Sequence, residues 1–304
     1  MKKYRPVSLL SVLSKVVETI LASRITEHLE KHHLLCTRQF GFRQERSAAD
    51  LHLLLSSELS AALDQGKSSA VVALDIEGAF DRVWHEALVT KLRATGIGGA
   101  LLPLLRDYLR DRHLRVTVGG RESEVQPIRA GVPQGSCLGP LLWNIYINDL
   151  LHLIPRTKAY ADDVTLTQSY EPEEATAITA QLNNNLSRIV AWGNMWQVKF
   201  ASHKTQLLVV SRSCRPLQLS FSGDTLAPRD EMEVLGVTYD RKLTFSSHIE
   251  QLARQASGKL ASLRRMSWLL DGRGLELLYK AQVRSSLECA CLACSEQLPN
   301  TSSC

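Results

Sequence analysis

Two adjacent aspartates, flanked by short runs of strand-forming residues, stand in the stretch Ala159-Tyr160-Ala161-Asp162-Asp163-Val164-Thr165-Leu166. Apolar and polar residues alternate from Val164 to Thr167, and this period of two predicts a strand. The stretch therefore predicts two strands joined by a turn, with Asp162 and Asp163 at its tip.

Like charges at the tip of a turn repel, so the aspartate pair is costly unless a nearby group neutralises it. A divalent cation is the simplest neutralising group. Mg²⁺ typically takes its oxygen ligands from one or two carboxylates and from substrate phosphates. The alternative is a plain surface turn, because aspartate is common in turns.

Length and composition limit the class of protein. With 304 residues the chain is long enough for a large core and for two or three subdomains. Hydrophobic residues make up 44% and charged residues 22%, as in globular proteins. No apolar run approaches the ~20 residues that span a bilayer, so we expect no membrane contact. The net charge of +5 is compatible with nucleic-acid binding and is weak evidence for it.

The cysteines give a weaker signal. The seven cysteines form no paired framework over most of the chain, which favours a reducing compartment. Four of them cluster at the end of the chain, at Cys289, Cys291, Cys294 and Cys304. A Cys-x-Cys opening is not the usual spacing of a zinc site, so we assign no zinc to them.

Hydrophobic periodicity outlines the secondary structure. Helical spacing of apolar residues predicts helices over residues 12–29, 48–63, 100–111, 141–153 and 178–196, and a further helix that carries Leu88 and Leu92 and ends near Gly96. Short apolar runs predict strands over residues 69–74, 207–210 and 234–239. Gly119-Gly120 predicts a hairpin turn between residues 116 and 128, and a basic helical pattern begins at Phe245.

Three stretches of the sequence carry candidate functional residues. Asp75 follows the apolar run of residues 69–74, which places its carboxylate at the end of a buried strand. Arg43 and Arg46 are candidates for phosphate contacts, because a guanidinium group matches phosphate with two hydrogen bonds; a solvated basic loop is the alternative. Residues 131–140 hold three glycines and two prolines, which indicates close approach by another molecule or a plain loop before a helix.

The order of these features resembles the reverse transcriptases of non-LTR (LINE-like, jockey-like) retrotransposons over nearly the whole chain. The residues that carry the resemblance are Tyr4-Arg5-Pro6-Val7-Ser8-Leu9-Leu10 and Gln39-Phe40-Gly41-Phe42-Arg43 for the fingers motifs, Leu74-Asp75 through Phe80-Asp81-Arg82-Val83-Trp84-His85 for motif A, Gly131-Val132-Pro133-Gln134-Gly135-Ser136 for motif B, Tyr160-Ala161-Asp162-Asp163 for motif C, and Lys204-Thr205 for motif D. Leu235-Gly236-Val237 resembles the primer-grip region of the family, and the basic helices after it resemble the thumb.

The resemblance implies an α+β right-hand polymerase fold, with fingers, a palm whose antiparallel sheet carries the aspartates, and a small helical thumb. It divides the chain into fingers at residues 1–68, palm at residues 69–240 with a fingers portion near residues 97–130, and a thumb at residues 241–304 that we expect to be truncated. An intron-encoded reverse transcriptase is a less favoured lineage, because two strings match the retrotransposon class: Gln39-Phe40-Gly41-Phe42-Arg43 and Ala79-Phe80-Asp81-Arg82-Val83-Trp84-His85.

The resemblance also implies the catalytic residues. Asp75, Asp162 and Asp163 would form the catalytic triad of carboxylates and hold two Mg²⁺ ions. The backbone carbonyl of Ile76 would be a further metal ligand. Lys204 matches the motif D lysine, which would donate a proton to pyrophosphate.

The same resemblance implies the nucleotide-binding residues. Phe80 matches the position whose bulky ring excludes a ribose 2′-hydroxyl and so favours dNTPs. Gln134 and Gly135 would line the nucleotide pocket and the template. Arg43 and Arg46 would contact the triphosphate.

Several positions depart from the family pattern or are ambiguous. Ala201 stands where motif D usually has an asparagine, and Glu77 adds a carboxylate near Asp75. Asp81 matches the motif, and we expect it to make a structural hydrogen bond instead of binding metal. The cysteine-rich end replaces the usual Tyr-Ala-x-x-x-Trp pattern. We expect the chain to be the polymerase part of a longer protein or a decayed copy.

These observations lead to one predicted function and one alternative. The predicted function is an RNA-directed DNA polymerase, a nucleotidyltransferase that extends a DNA 3′-hydroxyl on an RNA template by two-metal phosphoryl transfer. Its partners would be an RNA template, a DNA primer or target, and dNTPs. The alternative is a catalytically inactive, truncated nucleic-acid-binding relic. Resemblance alone places the protein in the nucleus, with a cytoplasmic ribonucleoprotein stage.

Overall fold

The computed structural model describes residues 8–212 and 217–288. The fingers motif that begins at Tyr4 lies partly outside these residues, and the terminal cysteine cluster lies entirely outside them. In the described part the helices are α1 (Val12–Lys31), α2 (Ala48–Asp64), α3 (His85–Ala94), α4 (Leu101–Leu109), α5 (Gly139–Leu153), α6 (Ala175–Met195), α7 (Ser246–Arg265), α8 (Gly272–Leu278) and α9 (Ser285–Leu287), with 3₁₀ turns at Phe80–Arg82, Pro172–Glu174, Ser202–Lys204 and Ser267–Leu269 and a π-helical turn at Tyr279–Arg284.

The strands are short apart from those of one sheet. They are β1 (Ser68–Leu74), β2 (His113–Leu114), β3 (Thr117–Val118), β4 (Arg121–Glu122), β5 (Gln126–Pro127), β6 (Thr157–Tyr160), β7 (Asp163–Tyr170), β8 (Gln206–Val210), β9 (Leu219–Phe221), β10 (Asp224–Leu226), β11 (Pro228–Arg229), β12 (Glu231–Val234) and β13 (Val237–Asp240). The helices, strands and hairpin predicted before residue 211 are confirmed to within a few residues at their ends.

Strand β1 is the centre of a five-stranded sheet with the order β11-β8-β1-β7-β6. It pairs antiparallel with both β7 and β8, and β6 pairs antiparallel with β7, whereas the two-residue β11 runs parallel to β8. The register pairs Leu74 with Val164. The chain therefore leaves β1 and enters β7 at the same edge of the sheet.

Both faces of the sheet are covered, which explains why β1 reads as a continuous apolar run. Successive side chains of a strand point to opposite faces. Ala70, Val72 and Leu74 belong to the larger core, which helices α3, α5 and α6 complete. Val71 belongs to a second core, formed with α2 and the β12–β13 hairpin. Helix α2, predicted as part of the fingers, thus packs directly on the sheet.

Helix α1 is buried differently from what its periodicity predicts. The apolar residues that are more than half exposed are Val12, Leu13, Val16, Val17 and Ile20. The buried residues of the helix are Glu18, Ile25 and Leu29. The predicted apolar face is therefore wrong for the first half of α1 and right for the second, because spacing does not tell which part a neighbour covers. Within residues 8–212 and 217–288, no helix has both the length and the apolarity needed to cross a bilayer.

The predicted strand over residues 234–239 is confirmed at residues 237–239, which belong to β13, and is wrong at Leu235-Gly236. The segment forms the turn of a hairpin, with Val234 paired to Val237 and Leu235-Gly236 between them. Leu235 has a φ of 46° and Gly236 a φ of 85°. Positive φ at both central residues is the geometry of a type I′ turn, which matches the twist of the flanking strands.

Lys91 is a buried cation that joins helices α3, α5 and α6. Its ammonium donates to the carbonyl oxygen of Tyr146 at 2.6 Å and to Asp149 Oδ1 at 2.7 Å. The same nitrogen lies 4.7 Å, 4.9 Å and 4.1 Å from the ring centroids of Tyr146, Trp192 and Trp196, and such contacts stabilise a cation removed from water. Burial lowers the pKa of Lys91 to about 8, and the Asp149 carboxylate partly offsets this effect.

The pKa of Lys91 predicts that stability depends on pH. Between about pH 8 and pH 10.5 the unfolded state binds a proton that the folded state has lost. The contribution of Lys91 to the free energy of unfolding should therefore rise with pH in this window, by at most ~1.4 kcal/mol per pH unit. Lys91→Met should remove the rise, and Lys280→Met, a change at an exposed lysine, should keep it. Urea unfolding across the window measures the slope, and equal slopes for the wild type and Lys91→Met would contradict the prediction.

Candidate active site

The turn between β6 and β7 carries the two adjacent aspartates. Tyr160 pairs with Asp163, which leaves Ala161-Asp162 as a two-residue turn in which Ala161 has a φ of 58°. Asp163 is the first residue of β7, so only Asp162 occupies the tip that was predicted for both. Asp162 is half-buried and Asp163 is exposed.

The end of β1 brings a third carboxylate to this turn. Leu74 pairs with Val164, the residue after Asp163. Asp75 therefore follows β1 at the edge where Asp163 begins β7. The three aspartates that the sequence singled out lie at one edge of the sheet, on two neighbouring strands and the turn between β6 and β7.

Buried side chains from two other segments hold the turn. Gln39 Oε1 accepts hydrogen bonds from the N–H groups of Gly41 at 3.0 Å and Ala161 at 3.2 Å. The indole N–H of Trp143 donates to the carbonyl of Ala161 at 2.9 Å. The amide of Asn144 donates to the carbonyl of Gly41, also at 2.9 Å. Sequence reasoning gave no role to Gln39, Trp143 or Asn144, because their partners are distant in the chain.

Lys204 is the cation next to Asp75. Its Nζ lies 2.8 Å from Asp75 Oδ2. The carbonyl of Asp75 accepts from the N–H of Ala201 at 2.8 Å, which brings the 3₁₀ turn Ser202–Lys204 to the end of β1. The two side chains are 48% and 36% exposed, so the pair adds little to stability. Its consequence is local, since it keeps a positive charge beside the carboxylate.

The additional carboxylate near Asp75, that of Glu77, lies between two cations. Glu77 forms ion pairs with Lys199 at 3.1 Å and with Arg82 at 3.9 Å, so neighbouring cations balance its charge. Its N–H donates to the Lys199 carbonyl at 2.8 Å. Because Asp75 and Glu77 use their backbone groups on the β8 side of the sheet, the carbonyl of Ile76 points to the β7 side.

The donor chemistry at this edge suits Mg²⁺, which prefers carboxylate and carbonyl oxygens. Within the described ranges, no group of three or more His, Cys, Asp or Glu side chains is arranged so that it could hold a metal ion. The carboxylate of Asp75 instead faces Lys204. Binding of a cation by all three aspartates therefore requires at least one of their side chains to rotate, and the ligand set stays a prediction.

The predicted site residues line two open cavities. One, of about 490 Å³, is lined by Asp75, Asp163 and Lys204, with the β12–β13 hairpin on its far side. The other, of about 590 Å³, is lined by Gln134 and Asp81, with the arginine-bearing segment of β2 opposite them. Asp75 and Asp163 therefore line a different space from the motif B glutamine, and Asp162 lines neither of these two cavities.

Arg43 makes structural hydrogen bonds within the described part of the chain. Its guanidinium donates to both carboxylate oxygens of Glu30, from Nε at 2.9 Å and from Nη2 at 2.6 Å. A third hydrogen bond, of 2.7 Å, goes to the carbonyl of Cys36. The side chain is 6% exposed. A phosphate would have to displace the bidentate carboxylate of Glu30, which is 42% exposed. This geometry disfavours contact of Arg43 with a triphosphate, and that contact stays a prediction.

Arg46 lies at the surface of the same loop. Its guanidinium carbon is 5.5 Å from the centroid of the Phe40 ring, and one of its nitrogens donates to the carbonyl of Thr37. Partial burial and the neighbouring charge of Arg43 lower the pKa of Arg46. The predicted phosphate contact of Arg46 stays a prediction.

Motifs A and B meet beside this loop. The ring of Phe80 packs edge-on against that of Phe42, with 6.2 Å between centroids. Gln134 Nε2 donates to Asp81 Oδ1 at 3.1 Å, so Asp81 makes the hydrogen bond expected of it. Gly135 follows with a φ of 96° and is exposed. The structure thus brings the predicted nucleotide-binding residues of motifs A and B into one neighbourhood.

Comparison with known proteins identifies similar chains. The profile of a family described as reverse transcriptase (RNA-dependent DNA polymerase) matches residues 1–239. The chain is 34% identical over 284 residues to the probable RNA-directed DNA polymerase from transposon BS of Drosophila melanogaster, and 34% identical over 301 residues to the RNA-directed DNA polymerase from mobile element jockey of the same species. These matches cover 89% and 95% of this chain but 30% and 32% of the relatives, so the chain spans about a third of their length.

Solved structures resemble the fold. Telomerase from Candida tropicalis, in complex with the TWJ fragment of telomeric RNA, matches 94% of this chain and 47% of its own with a TM-score of 0.55 and 10% identity. The corresponding complex from Candida albicans matches 91% and 49% with a TM-score of 0.53 and 14% identity. At such low identity the likeness concerns the fold alone, and it confirms the right-hand polymerase fold.

The close contact between Gly41 and the aspartate turn makes a testable prediction. A Cβ atom at Gly41 would lie 2.3 Å from the backbone nitrogen of Ala161, and backbone cannot move aside as a flexible side chain can. Gly41→Ala should lower the free energy of unfolding by about 1–3 kcal/mol. Gly98→Ala, where a Cβ meets nothing within 4 Å, should change it by less than ~0.5 kcal/mol. Urea unfolding measures both, and equal stability of the two variants would refute the prediction.

Proposed function

Because the chain belongs to the reverse transcriptase family, we propose that it acts as an RNA-directed DNA polymerase of a non-LTR retrotransposon and extends a DNA 3′-hydroxyl on an RNA template. The observation that carries the proposal is the register of β1 and β7, which joins Asp75 to the Asp162-Asp163 pair at one edge of the sheet. The partners would be an RNA template, a DNA primer or target, and dNTPs. Similarity to two transposon polymerases over most of the chain supports this lineage.

Asp75, Asp162 and Asp163 would hold two Mg²⁺ ions, with the carbonyl of Ile76 as a further ligand. When bound, the ions would lower the pKa of the attacking 3′-hydroxyl and balance the charge of the leaving pyrophosphate. The contribution of the chain itself is to fix the backbone that carries these oxygen donors at the edge of a buried sheet, so that only side-chain rotation is needed to complete the ligand set.

Lys204 would protonate the departing pyrophosphate. Its ammonium is about half exposed and lines the same open cavity as Asp75 and Asp163. A lysine ammonium in this position can donate a proton to a leaving group, and it adds positive charge where negative charge develops. Both properties support the proposed role.

Phe80 would select the sugar, since a bulky ring at the 2′ position leaves no room for a ribose hydroxyl. Gln134 and Gly135 would line the nucleotide pocket, and Arg46 would contact the phosphates. Arg43 is left out of the proposal because its donors are committed elsewhere.

The division into fingers at residues 1–68, palm at residues 69–240 and thumb at residues 241–304 forms part of the proposal. The packing of α2 on the sheet supports moving that helix from the fingers to the palm. We further propose a nuclear site of action with a cytoplasmic ribonucleoprotein stage, on the ground that polymerases of this class prime at chromosomal targets.

Primer extension tests the proposed activity. Wild-type protein given poly(rA)·oligo(dT), dTTP and Mg²⁺ should incorporate nucleotide. Asp162→Asn should lower the rate about a thousandfold or more, because a neutral amide loses several kcal/mol of interaction with a bound cation. Asp224→Asn, a change at an exposed aspartate of β10, should leave the rate unchanged. Full activity of Asp162→Asn would refute the assignment, and hybrid binding without incorporation by the wild type would favour the inactive relic.

A second prediction concerns the sugar. Phe80→Ala should lower the preference for dTTP over UTP by about tenfold or more, because the removed ring opens space for the 2′-hydroxyl. Tyr279→Ala, which truncates an exposed aromatic residue, should leave the preference unchanged. Competition between dTTP and UTP in primer extension measures the ratio. A lower overall rate with an unchanged ratio would assign Phe80 to packing alone.

A further inference from the structure

Glu18 is a buried carboxylate that caps a helix elsewhere in the chain. It lies on α1 and is 2% exposed. Its Oε2 accepts from the N–H groups of Cys137 at 2.8 Å and Leu138 at 3.4 Å, and its Oε1 accepts from the Ser14 hydroxyl at 3.1 Å. Leu138 precedes α5 as its N-cap residue. The carboxylate thus lies where backbone amides lack intrahelical acceptors and where negative charge is favourable.

Helix α5 also has a local side-chain acceptor at its start, so Glu18 is not needed to begin the helix. Ser136 Oγ accepts from the N–H of Gly139 at 2.7 Å, within the sequence that begins α5. The amides bound by Glu18 end the segment of residues 131–138, which we call the pre-α5 loop. Because burial of a carboxylate is costly unless hydrogen bonds compensate it, Glu18 adds a specific restraint on this loop.

The restraint completes a two-ended attachment of the pre-α5 loop. At the first end, the N–H of Gly131 donates to the carbonyl of Val83 at 2.8 Å. A Cβ at Gly131 would lie 2.9 Å from the carbonyl oxygen of Asp81, so this end fits closely against motif A. Glu18 fixes the second end. Gln134 lies between the two attachments, and its carbonyl also accepts from the N–H of Ser8 at 2.8 Å while its Nε2 donates to Asp81.

We propose that Glu18 is a positioning residue for nucleotide binding, whose carboxylate holds the pre-α5 loop so that Gln134 and Gly135 face the incoming dNTP. The inference rests on the proposed function, which supplies the nucleotide site. Glu18 touches no substrate and acts through the amides of Cys137 and Leu138. Without the restraint, each nucleotide has to order the pre-α5 loop as it binds. The entropy lost in ordering the loop lowers the affinity for the nucleotide more than it lowers the reaction rate of the nucleotide once bound.

Hydrogen–deuterium exchange tests the restraint without any need for activity. Glu18→Gln keeps the size of the side chain and loses its charge, whereas Glu18→Ala removes both acceptors. Amides of the pre-α5 loop should exchange about tenfold faster in Glu18→Gln, equivalent to about 1.4 kcal/mol of lost protection, and faster still in Glu18→Ala. Glu27→Gln is the matched control, since Glu27 is 70% exposed on the same helix. Unchanged protection of β1 shows that a variant is folded.

Kinetics separate positioning from stability. In primer extension, Glu18→Gln should raise KM for dTTP about tenfold, with kcat and KM for poly(rA)·oligo(dT) within about twofold of the wild type. A role in folding alone would lower the active fraction and therefore kcat, and would leave KM for dTTP unchanged. Glu27→Gln should match the wild type in all three constants.

Each negative outcome overturns a defined part of the inference. Equal loop exchange in the wild type and Glu18→Gln overturns the restraint, and faster exchange with an unchanged KM for dTTP overturns the positioning role. If the wild type incorporates no nucleotide, the proposed function fails on its own, and calorimetric titration with dTTP takes the place of KM. Weaker dTTP binding by Glu18→Gln then supports the inference, whereas equal binding, or none by the wild type, overturns it.

Discussion

The antiparallel pairing of β1 with β7 is the constraint on which the rest of the structure depends. It joins segments that are far apart in the chain, and closing so long a loop costs conformational entropy. Burial of β1 on both faces offsets that cost, because its apolar side chains enter two separate cores. The same pairing brings Asp75 to the edge occupied by Asp162 and Asp163, where like charges repel. The nearby ammonium of Lys204 reduces this repulsion.

Rigidity of the aspartate turn follows from buried polar contacts. Ala161 has a positive φ, a conformation that a residue with a Cβ adopts only when its surroundings require it. Its N–H is bound by Gln39 and its carbonyl by Trp143, so both backbone groups are satisfied and the turn has one conformation. A site for phosphoryl transfer needs such placement, because ligands that are already positioned need not reorganise during the reaction.

The N-terminal segments order loops of the palm. Gln39, from the segment before α2, binds the aspartate turn, and Glu18, from α1, binds the end of the pre-α5 loop. In both cases a side chain far away in sequence satisfies backbone amides that the local structure leaves unbound. The region predicted as fingers therefore fixes the geometry of the two segments on which the proposed chemistry depends.

The sequence by itself determined the elements and the order of the motifs. Apolar spacing predicted strand β1 and helix α6 because periodicity depends only on the geometry of the chain itself. The motif order predicted the polymerase fold and placed Asp75 with the aspartate pair. Tertiary structure alone decided which apolar half of α1 is covered, that Leu235-Gly236 forms a turn, and that Arg43 pairs with Glu30. Those outcomes depend on which groups the folded chain brings next to a residue. The spacing of residues along the chain does not determine these neighbours.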